Sequence, residues 1–161
     1  MMKRLISFLG SMQVSISKRG FQMIFEGKTA QKVKFNQLGD DRGHLVVVEG
    51  LKDIPFEIKR IFYIYGSDSD VVRGQHANRK SEFVLINVSG TSKVEVDDGK
   101  TKKIFDLDEP HVGIYLPNMV WKDMFDFSSD SVLLVLASEV FDANEYIRDY
   151  DEYVKEIRKE G

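Results

Sequence analysis

The sequence predicts an all-β protein, a sandwich or barrel of short strands that ends in a single helix. Short runs of alternating or β-branched residues recur at intervals of roughly eight to twelve residues, with turn residues between them. Only the C-terminal segment has helical periodicity. No repeat, low-complexity run or linker divides the chain, so residues 31–161 are expected to form one domain with a substantial core.

The composition favours a folded protein without affinity for nucleic acid. Hydrophobic residues make up 42% of the chain and aromatic residues 11%. A net charge of −3 and a pI near 5.7 offer no general attraction for DNA or RNA, so an anionic ligand would need a local arginine pocket. The chain has no cysteine, which excludes disulfides and thiolate metal sites and fits a cytoplasmic location.

Residues 1–30 are expected to be an N-terminal extension of the domain. Residues 1–12 resemble the start of a signal peptide, but the apolar run Leu5–Leu9 is interrupted by Ser7. That run is too short for a signal core or a membrane span, so no membrane association is predicted. Residues 11–35 alternate roughly as strands do.

The next elements are a turn and the strands that follow it. Residues 40–43, Asp-Asp-Arg-Gly, have turn composition, and the β-branched run at residues 45–48 suits a sheet interior. After a proline, residues 56–65 form a predicted strand in which Arg60 faces one side and Tyr63 the other. Neither side is purely apolar. The pattern therefore fits a strand that lines a polar cavity and an edge strand equally well.

Apolar and alternating runs bounded by turn residues predict six more strands in the second half of the chain. Two of them form a hairpin, because Asp98-Gly99 is a strong two-residue turn signal between residues 93–97 and 103–107. The other predicted strands are residues 82–88, 113–116, 120–125 and 132–137.

The C-terminal segment predicts the helix of the chain. Asp142 and Glu145 have the spacing of a capping box, so the helix is expected to begin at Asp142. One apolar stripe follows at helical spacing. It consists of Tyr146, Ile147, Tyr150, Val154 and Ile157.

Residues 73–82, Arg-Gly-Gln-His-Ala-Asn-Arg-Lys-Ser-Glu, contain the best candidate for a general base. His76 and Asn78 are two residues apart, so in a strand both would face the same way. Neutral imidazole has a pKa close to working pH, which suits it to move a proton beside a carbonyl. A packing role for His76 is equally open. The other histidines, His44 and His111, are expected to be surface or packing residues.

Several other side chains suit a ligand of this kind. Arg60 and Arg73 could hold a pyrophosphate through forked donors. Tyr63 could hydrogen-bond a developing enolate oxygen. Trp121 could stack on a base or sugar, although a role in the core is the more common one for a tryptophan.

A metal site is not expected. His76, Asn78 and Glu82, followed by a Pro-x-x-Gly turn, come close to the two-part motif of cupin barrels. A borderline or soft divalent ion requires three or four good donors. This motif offers one imidazole, one carboxylate and a poorly coordinating amide, so no metal or other cofactor is predicted.

These residues together resemble one cupin family, the sugar 3,4-ketoisomerases that act on dTDP-4-keto-6-deoxyglucose. The resemblance extends from about residue 35 to residue 153. It is carried by Asp41–Gly43, Ile54–Arg60, Arg73–Ala77, Val96–Gly99, Gly113–Tyr115, Trp121, Asp126–Asp130, Val135–Ser138 and Glu145–Tyr150.

The resemblance implies a metal-free cupin, a double-stranded β-helix (jelly-roll) barrel. Such an enzyme moves a carbonyl from C4 to C3 of a nucleotide-linked 6-deoxyhexose, on the route to 3-amino sugars of bacterial surface glycans such as the O-antigen of lipopolysaccharide. A homodimer that exchanges N-terminal strands is also implied. Of the family's site residues, the catalytic base falls on His76, an active-site tyrosine on Tyr63, and the phosphate-contacting arginines on Arg60 and Arg73.

The chain departs from the family at one position, because Asn78 stands where the family has a second histidine. An amide donates or accepts a hydrogen bond but cannot carry a proton at neutral pH. If that position mainly orients the substrate, the isomerase is retained: His76 removes the C3 proton, and a general acid delivers one at C4 through an enediol. The alternatives are a nucleotide-sugar epimerase on the same barrel and a non-catalytic nucleotide-sugar-binding cupin.

The predicted site therefore has two parts. The expected catalytic residues are His76, Asn78 and Tyr63. The expected substrate-binding residues are Arg60, Arg73, Glu82 and Trp121.

Overall fold

The structure, a computed structural model, describes residues 14–17, 20–23 and 29–160. These residues form fourteen strands, one short 3₁₀ turn and one α-helix. The strands are β1 (Val14–Ser17), β2 (Gly20–Met23), β3 (Gln31–Lys34), β4 (Gln37–Asp40), β5 (Gly43–Val46), β6 (Arg60–Tyr65), β7 (Arg73–Asn78), β8 (Phe83–Ser89), β9 (Ser92–Asp97), β10 (Lys102–Leu107), β11 (Val112–Leu116), β12 (Trp121–Phe125), β13 (Val132–Ala137) and β14 (Tyr146–Ile147). The helix is α1 (Tyr150–Glu160).

Two five-stranded antiparallel sheets make up the barrel. The first sheet has the strand order β3-β11-β8-β13-β6, and the second has the order β10-β9-β12-β7-β14. Two hairpins, β1-β2 and β4-β5, form separate two-stranded sheets. Sequential strands often pair across the molecule rather than with their neighbours, as in a jelly roll. The prediction of an all-β barrel that ends in one helix is confirmed.

The main core lies between the two sheets and follows from strand alternation. In β9, Val94 and Val96 point inward, whereas the intervening Lys93 and Glu95 are only partly buried. Other strands contribute inward side chains in the same way. These include Phe83, Leu85, Leu107, Ile114, Leu116, Met124, Leu133 and Val135.

A second apolar cluster covers the outer face of the first sheet. Phe35, Ile54 and Phe56 lie over residues whose side chains point away from the barrel interior, including Val84 and Ile86. Because both faces of β8 are covered, its first five residues are all buried. This explains why the sequence there is a continuous apolar run rather than an alternating one.

Two strand predictions in the N-terminal half are corrected. The turn at residues 40–43 is confirmed, but among the described strands β5 pairs with β4 alone, and Leu45 and Val47 are exposed. The expectation of an interior strand at residues 45–48 is therefore wrong. The strand predicted at residues 56–65 begins only at Arg60, because the preceding residues cross the outer cluster.

The start of the helix is also corrected. Residues 143–145 form the 3₁₀ turn, capped by Asp142, and β14 then pairs with β7. Helix α1 begins only at Tyr150, after Asp149, whose Oδ1 accepts from the Glu152 backbone N–H at 2.8 Å. Asp149 and Glu152 repeat the Asp-x-x-Glu spacing of Asp142 and Glu145, so the sequence contains two start signals and the second one begins the helix.

Helix α1 packs against the outer face of the second sheet. Its residues Tyr153, Val154 and Ile157 form a third apolar cluster with Ala77 and Trp121. The β9–β10 turn supports this contact.

At that turn, Gly99 has φ +83°, and a Cβ there would lie 2.5 Å from Ile157 Cγ2. Both the conformation and the close approach of the helix require glycine.

Part of the predicted N-terminal extension can be compared with the structure. Strands β1 and β2 form an antiparallel hairpin within residues 11–35, where strand-like alternation was predicted. The apolar run Leu5–Leu9 lies outside the described residues. Among the residues that are described, no helix has the length and apolar character needed to cross a bilayer.

Candidate active site

The candidate site is built on the neighbouring strands β7 and β12. Lys122 of β12 lies opposite His76 of β7, and the register then shifts so that Asp123 lies opposite Gly74. The extra residue is Gln75, which has φ +53°. A Cβ on Gly74 would lie 2.6 Å from the carbonyl oxygen of Lys122, so this bulge requires a glycine. Bulges of this kind re-aim side chains next to active sites.

His76 is held in the form that can act as a base. Its Nδ1 lies 2.9 Å from the Gly74 carbonyl oxygen, which can only accept, so Nδ1 carries the proton and Nε2 is left with its lone pair. The ring packs on Tyr146, with 4.8 Å between centroids. Burial, followed by the positive charge of Lys122, lowers the pKa of His76 to about 4. The imidazole is therefore neutral at neutral pH.

Lys122 places an amine inside the barrel. The residue is only 5% exposed, and its Nζ donates to Asn78 Oδ1 at 2.7 Å. Nζ also lies 4.7 Å from the centroid of the Phe83 ring. Burial lowers the pKa of Lys122 to about 7, the Glu145 carboxylate opposes that shift, and Arg60 adds to it.

Glu145 provides the carboxylate of the site. Its Oε2 accepts from the backbone N–H groups of Ser81 at 2.8 Å and Lys80 at 3.0 Å. Its Oε1 accepts from the Ser81 hydroxyl and from Asn78 Nδ2, the latter at 3.3 Å. The Asn78 amide therefore links the buried ammonium to the buried carboxylate, with its oxygen on Lys122 and its nitrogen on Glu145.

Arg60 enters the same interior from β6. Its Nε and Nη2 atoms are buried and have no hydrogen-bond partner within the described residues. The guanidinium carbon lies 5.3 Å from the Phe62 ring centroid and 5.7 Å from that of Phe141. Buried guanidinium donors are costly to leave unpaired, so these two atoms mark a place for an acceptor on a ligand.

Three predicted site residues lie away from His76. Tyr63 is 62% exposed, on the face of β6 opposite Arg60, because residues three apart on a strand cannot share a face. Glu82 accepts from the Tyr115 hydroxyl, and Tyr115 belongs to the outer cluster.

Trp121 packs beneath α1, with its ring centroid 5.2 Å from that of Tyr150 and 5.7 Å from that of Tyr153. Its indole N–H donates to Asp123 at 3.2 Å. These are packing contacts, of the kind expected for the alternative role of Trp121 in the core. Arg73, at the start of β7, is exposed.

The structure thus brings together His76, Asn78 and Arg60 from the predicted set and adds Lys122 and Glu145. A sequence signal for Lys122 was present, since it lies between Val120 and Met124 in an alternating row of buried apolar residues. Glu145 was hidden by its capping-box position.

The other histidines lie outside this site. His44 is exposed on β5, and His111 Nε2 lies 3.6 Å from a Glu109 carboxylate oxygen. Within the described parts of the chain, no three His, Cys, Asp or Glu side chains are grouped so that they could hold a metal ion.

A jelly-roll barrel whose described interior contains a neutral imidazole, a buried amine and a guanidinium with two unpartnered nitrogens has the architecture of a cupin-type site. The chain belongs to the family described as "FdtA: WxcM-like, C-terminal", which matches residues 28–158. The family and fold that the sequence predicted are confirmed.

Relatives of known activity support this assignment. The chain is 45% identical over 127 residues to the TDP-4-oxo-6-deoxy-α-D-glucose-3,4-oxoisomerase of Aneurinibacillus thermoaerophilus, covering 79% of this chain and 91% of the relative. It is 44% identical to a histidine-to-asparagine variant of the 3,4-ketoisomerase QdtA of Thermoanaerobacterium thermosaccharolyticum, whose crystal structure contains TDP-4-keto-6-deoxyglucose. The TM-score is 0.79, and the match covers 81% of this chain and 94% of QdtA.

A third relative has similar coverage. A 3,4-ketoisomerase from Helicobacter canadensis is 41% identical, with a TM-score of 0.79, and the match covers 82% of this chain and 99% of that protein.

The buried hydrogen bonds of Glu145 are expected to stabilise the fold. The substitution Glu145→Gln replaces one acceptor oxygen by an NH₂ group. That NH₂ group then points at hydrogen-bond donors, which need an acceptor. We expect the free energy of unfolding to fall by about 2 kcal/mol, because a buried donor loses its partner. Urea denaturation measures this change. The control is Glu152→Gln, an exposed carboxylate paired with Arg79, where we expect a change within about 0.5 kcal/mol. Equal effects in the two variants would contradict the buried role of Glu145.

Proposed function

We propose that this chain is an isomerase that moves the keto group between C4 and C3 of a dTDP-linked 4-keto-6-deoxyhexose. The proposal rests on membership of the FdtA family and on the named activities of the relatives. The observation that carries it on this chain is His76, a neutral imidazole with a free Nε2 beside buried cationic groups. This arrangement suits proton abstraction next to a carbonyl.

The reaction requires one proton to leave carbon and one to arrive. His76 Nε2 takes the proton from C3, and the C3–H electron pair becomes the C3=C4 double bond. The π electrons of the C4=O4 bond move to O4 and give an enediolate. The O3–H proton moves to O4, the C3=O3 bond then forms, and C4 takes up a proton. Positive charge in the site stabilises the enediolate more than the ketone, which is how the site would lower the barrier.

The charges of the site favour an anionic ligand. Three cationic side chains, Arg60, Lys122 and Arg148, influence the protonation of His76 and Lys122, against one carboxylate, Glu145. We assign the unpaired Nε and Nη2 of Arg60 to the diphosphate, because a guanidinium forms paired hydrogen bonds to phosphate oxygens. The exposed Arg73 would contact the same group from the barrel mouth.

Asn78 would orient the site rather than carry a proton. Its oxygen accepts from Lys122 and its nitrogen donates to Glu145, so both ends of the amide are engaged. An amide in this position fixes the ammonium and the carboxylate relative to His76. Loss of the family's second histidine therefore does not remove the base, and this favours an enzyme over a non-catalytic binding protein.

We place the reaction in the cytoplasm, which the absence of cysteine fits. The 3-keto product is a substrate for an aminotransferase, so the enzyme would serve deoxyamino-sugar biosynthesis.

An NMR time course of dTDP-4-keto-6-deoxyglucose in D₂O tests the proposed function. We expect a new 3-keto species that carries deuterium at C4, and its couplings give the C4 configuration. His76→Ala should still bind dTDP, and its rate should be at least about 100-fold lower because the base is missing. Arg158→Ala, on the exposed side of α1, is the control and should keep the wild-type rate.

Two results would contradict the proposal. Deuterium at C3 or C5 without carbonyl migration would assign the protein to the epimerases. An unchanged spectrum with saturable binding would make it a nucleotide-sugar-binding protein.

We also propose that the chain forms a homodimer through the outer side of β6, with residues 1–30 exchanged between subunits. β6 lies at the edge of the first sheet. Its outward side chains Ile61, Tyr63 and Tyr65 are 59%, 62% and 71% exposed, an apolar row of the kind that partners cover. In a dimer Tyr63 would contact the partner subunit instead of the substrate.

Light scattering after size exclusion tests the dimer. We expect a wild-type mass near twice 18.5 kDa and a smaller mass for Ile61→Asp, because a charge would be buried in the interface. Ile104→Asp is a matched control, since Ile104 is 57% exposed on β10, the edge strand of the second sheet. A wild-type monomer, or equal effects of the two substitutions, would argue against this interface.

A further inference from the structure

In the proposed reaction C4 takes up a proton, and the Asn78 amide cannot supply it. The polar side chains around His76 are Tyr146, Arg148, Glu145 and Lys122, and Arg60 lies near Lys122. A guanidinium does not release its proton in a protein. The oxygens of Glu145 are used by four hydrogen-bond donors. Of the two donors that remain, Tyr146 meets His76 through its ring, whereas Lys122 is the cross-strand partner of His76, so the geometry favours Lys122.

The geometry of Lys122 fits this role. It is the cross-strand partner of His76, so the two side chains rise side by side into the barrel. Within the described residues, Nζ makes one hydrogen bond, to Asn78 Oδ1. An ammonium has three N–H donors, so donors remain for a substrate. A base and an acid on adjacent strands can reach adjacent carbons of one sugar.

Burial also makes the proton of Lys122 available. In water an ammonium holds its proton too tightly to act as a general acid at neutral pH. In this barrel burial lowers the pKa of Lys122 to about 7, so the proton can leave without a large cost.

We infer that Lys122 is the general acid that delivers the proton to C4, in the place of the second histidine that this chain lacks. The inference rests on the proposed ketoisomerase function. When the C3=O3 bond forms, the electron pair of C3=C4 takes a proton from Nζ, and Lys122 becomes a neutral amine. The imidazolium of His76, formed when C3 loses its proton, returns that proton to the amine through solvent, and the site is restored.

Two groups of opposite role define a pH window. His76 must be neutral, and its pKa of about 4 makes it so above that value. Lys122 must be charged, and its pKa of about 7 makes it so below that value. The groups that face Lys122 are His76 on β7, Arg60 on β6 and Glu145 in the 3₁₀ turn. kcat is expected to be highest between about pH 4 and pH 7 and to fall as Lys122 loses its proton.

The experiment compares wild type with Lys122→Arg and Lys122→Met in D₂O. Arginine keeps the positive charge but cannot release its proton, whereas methionine keeps the volume without charge. For Lys122→Arg we expect retained dTDP binding and retained deuterium exchange at C3, which reports His76. Formation of the 3-keto sugar should be at least about 100-fold slower, and the fall in kcat above pH 7 should disappear. Lys122→Met should also lack the product.

Two results with the variants would overturn the inference. A rate of 3-keto formation in Lys122→Arg within about threefold of wild type would show that another acid serves C4. A folded, dTDP-binding variant that no longer exchanges C3 would place Lys122 at the first step instead.

A second test uses the wild type and so does not depend on the folding of a variant. Substrate deuterated at C3 should give a product with hydrogen from water at C4. Transfer of the deuterium from C3 to C4 would mean that His76 alone moves the proton. Wild type that makes no 3-keto sugar would instead contradict the proposed function.

Discussion

The site depends on one costly feature, an ammonium group buried inside a β-barrel. A buried charge is tolerated only where hydrogen bonds and counter-charges replace the water it has lost. Lys122 has one such hydrogen bond, from Nζ to Asn78, and the Glu145 carboxylate lies beyond that amide. These partners offset only part of the cost, and the pKa of Lys122 falls to about 7 as a result. Burial, followed by this positive charge, also lowers the pKa of His76, so burial inside the barrel is the main cause of the protonation state of both groups.

The fold supplies this arrangement through local irregularities rather than through regular strands. The bulge at Gly74 and Gln75 lets His76 lie opposite Lys122. The segment after β13 forms a 3₁₀ turn instead of a helix, and this turn inserts Glu145 against the backbone that follows β7. β14 then pairs with β7 and brings the Tyr146 ring onto His76. Edge positions and bulges are where a jelly roll can adapt its interior without disturbing its core.

The sequence predicted the parts of the site that depend on periodicity. His76 and Asn78 share a face because they are two residues apart, and Arg60 lies on the inward side of a strand whose alternation was visible. The same alternation argues against a place for Tyr63 in the site. Tyr63 is three residues from Arg60 and so points outward. Glu145 could not be predicted, because two equivalent Asp-x-x-Glu signals compete and only tertiary contacts decide which begins the helix. Lys122 could be suspected from its apolar neighbours, but its partners come from distant strands.

The most direct test of this account is the titration of Lys122 itself. In protein labelled with ¹³C at the lysine Cε, the Lys122 signal is identified by its loss in Lys122→Arg and followed by NMR from pH 5 to pH 11. We expect a midpoint near pH 7, since burial outweighs the attraction of Glu145. A midpoint above about pH 10, as for a lysine in water, would show that the amine is solvated. In that case it could not serve as the general acid at neutral pH.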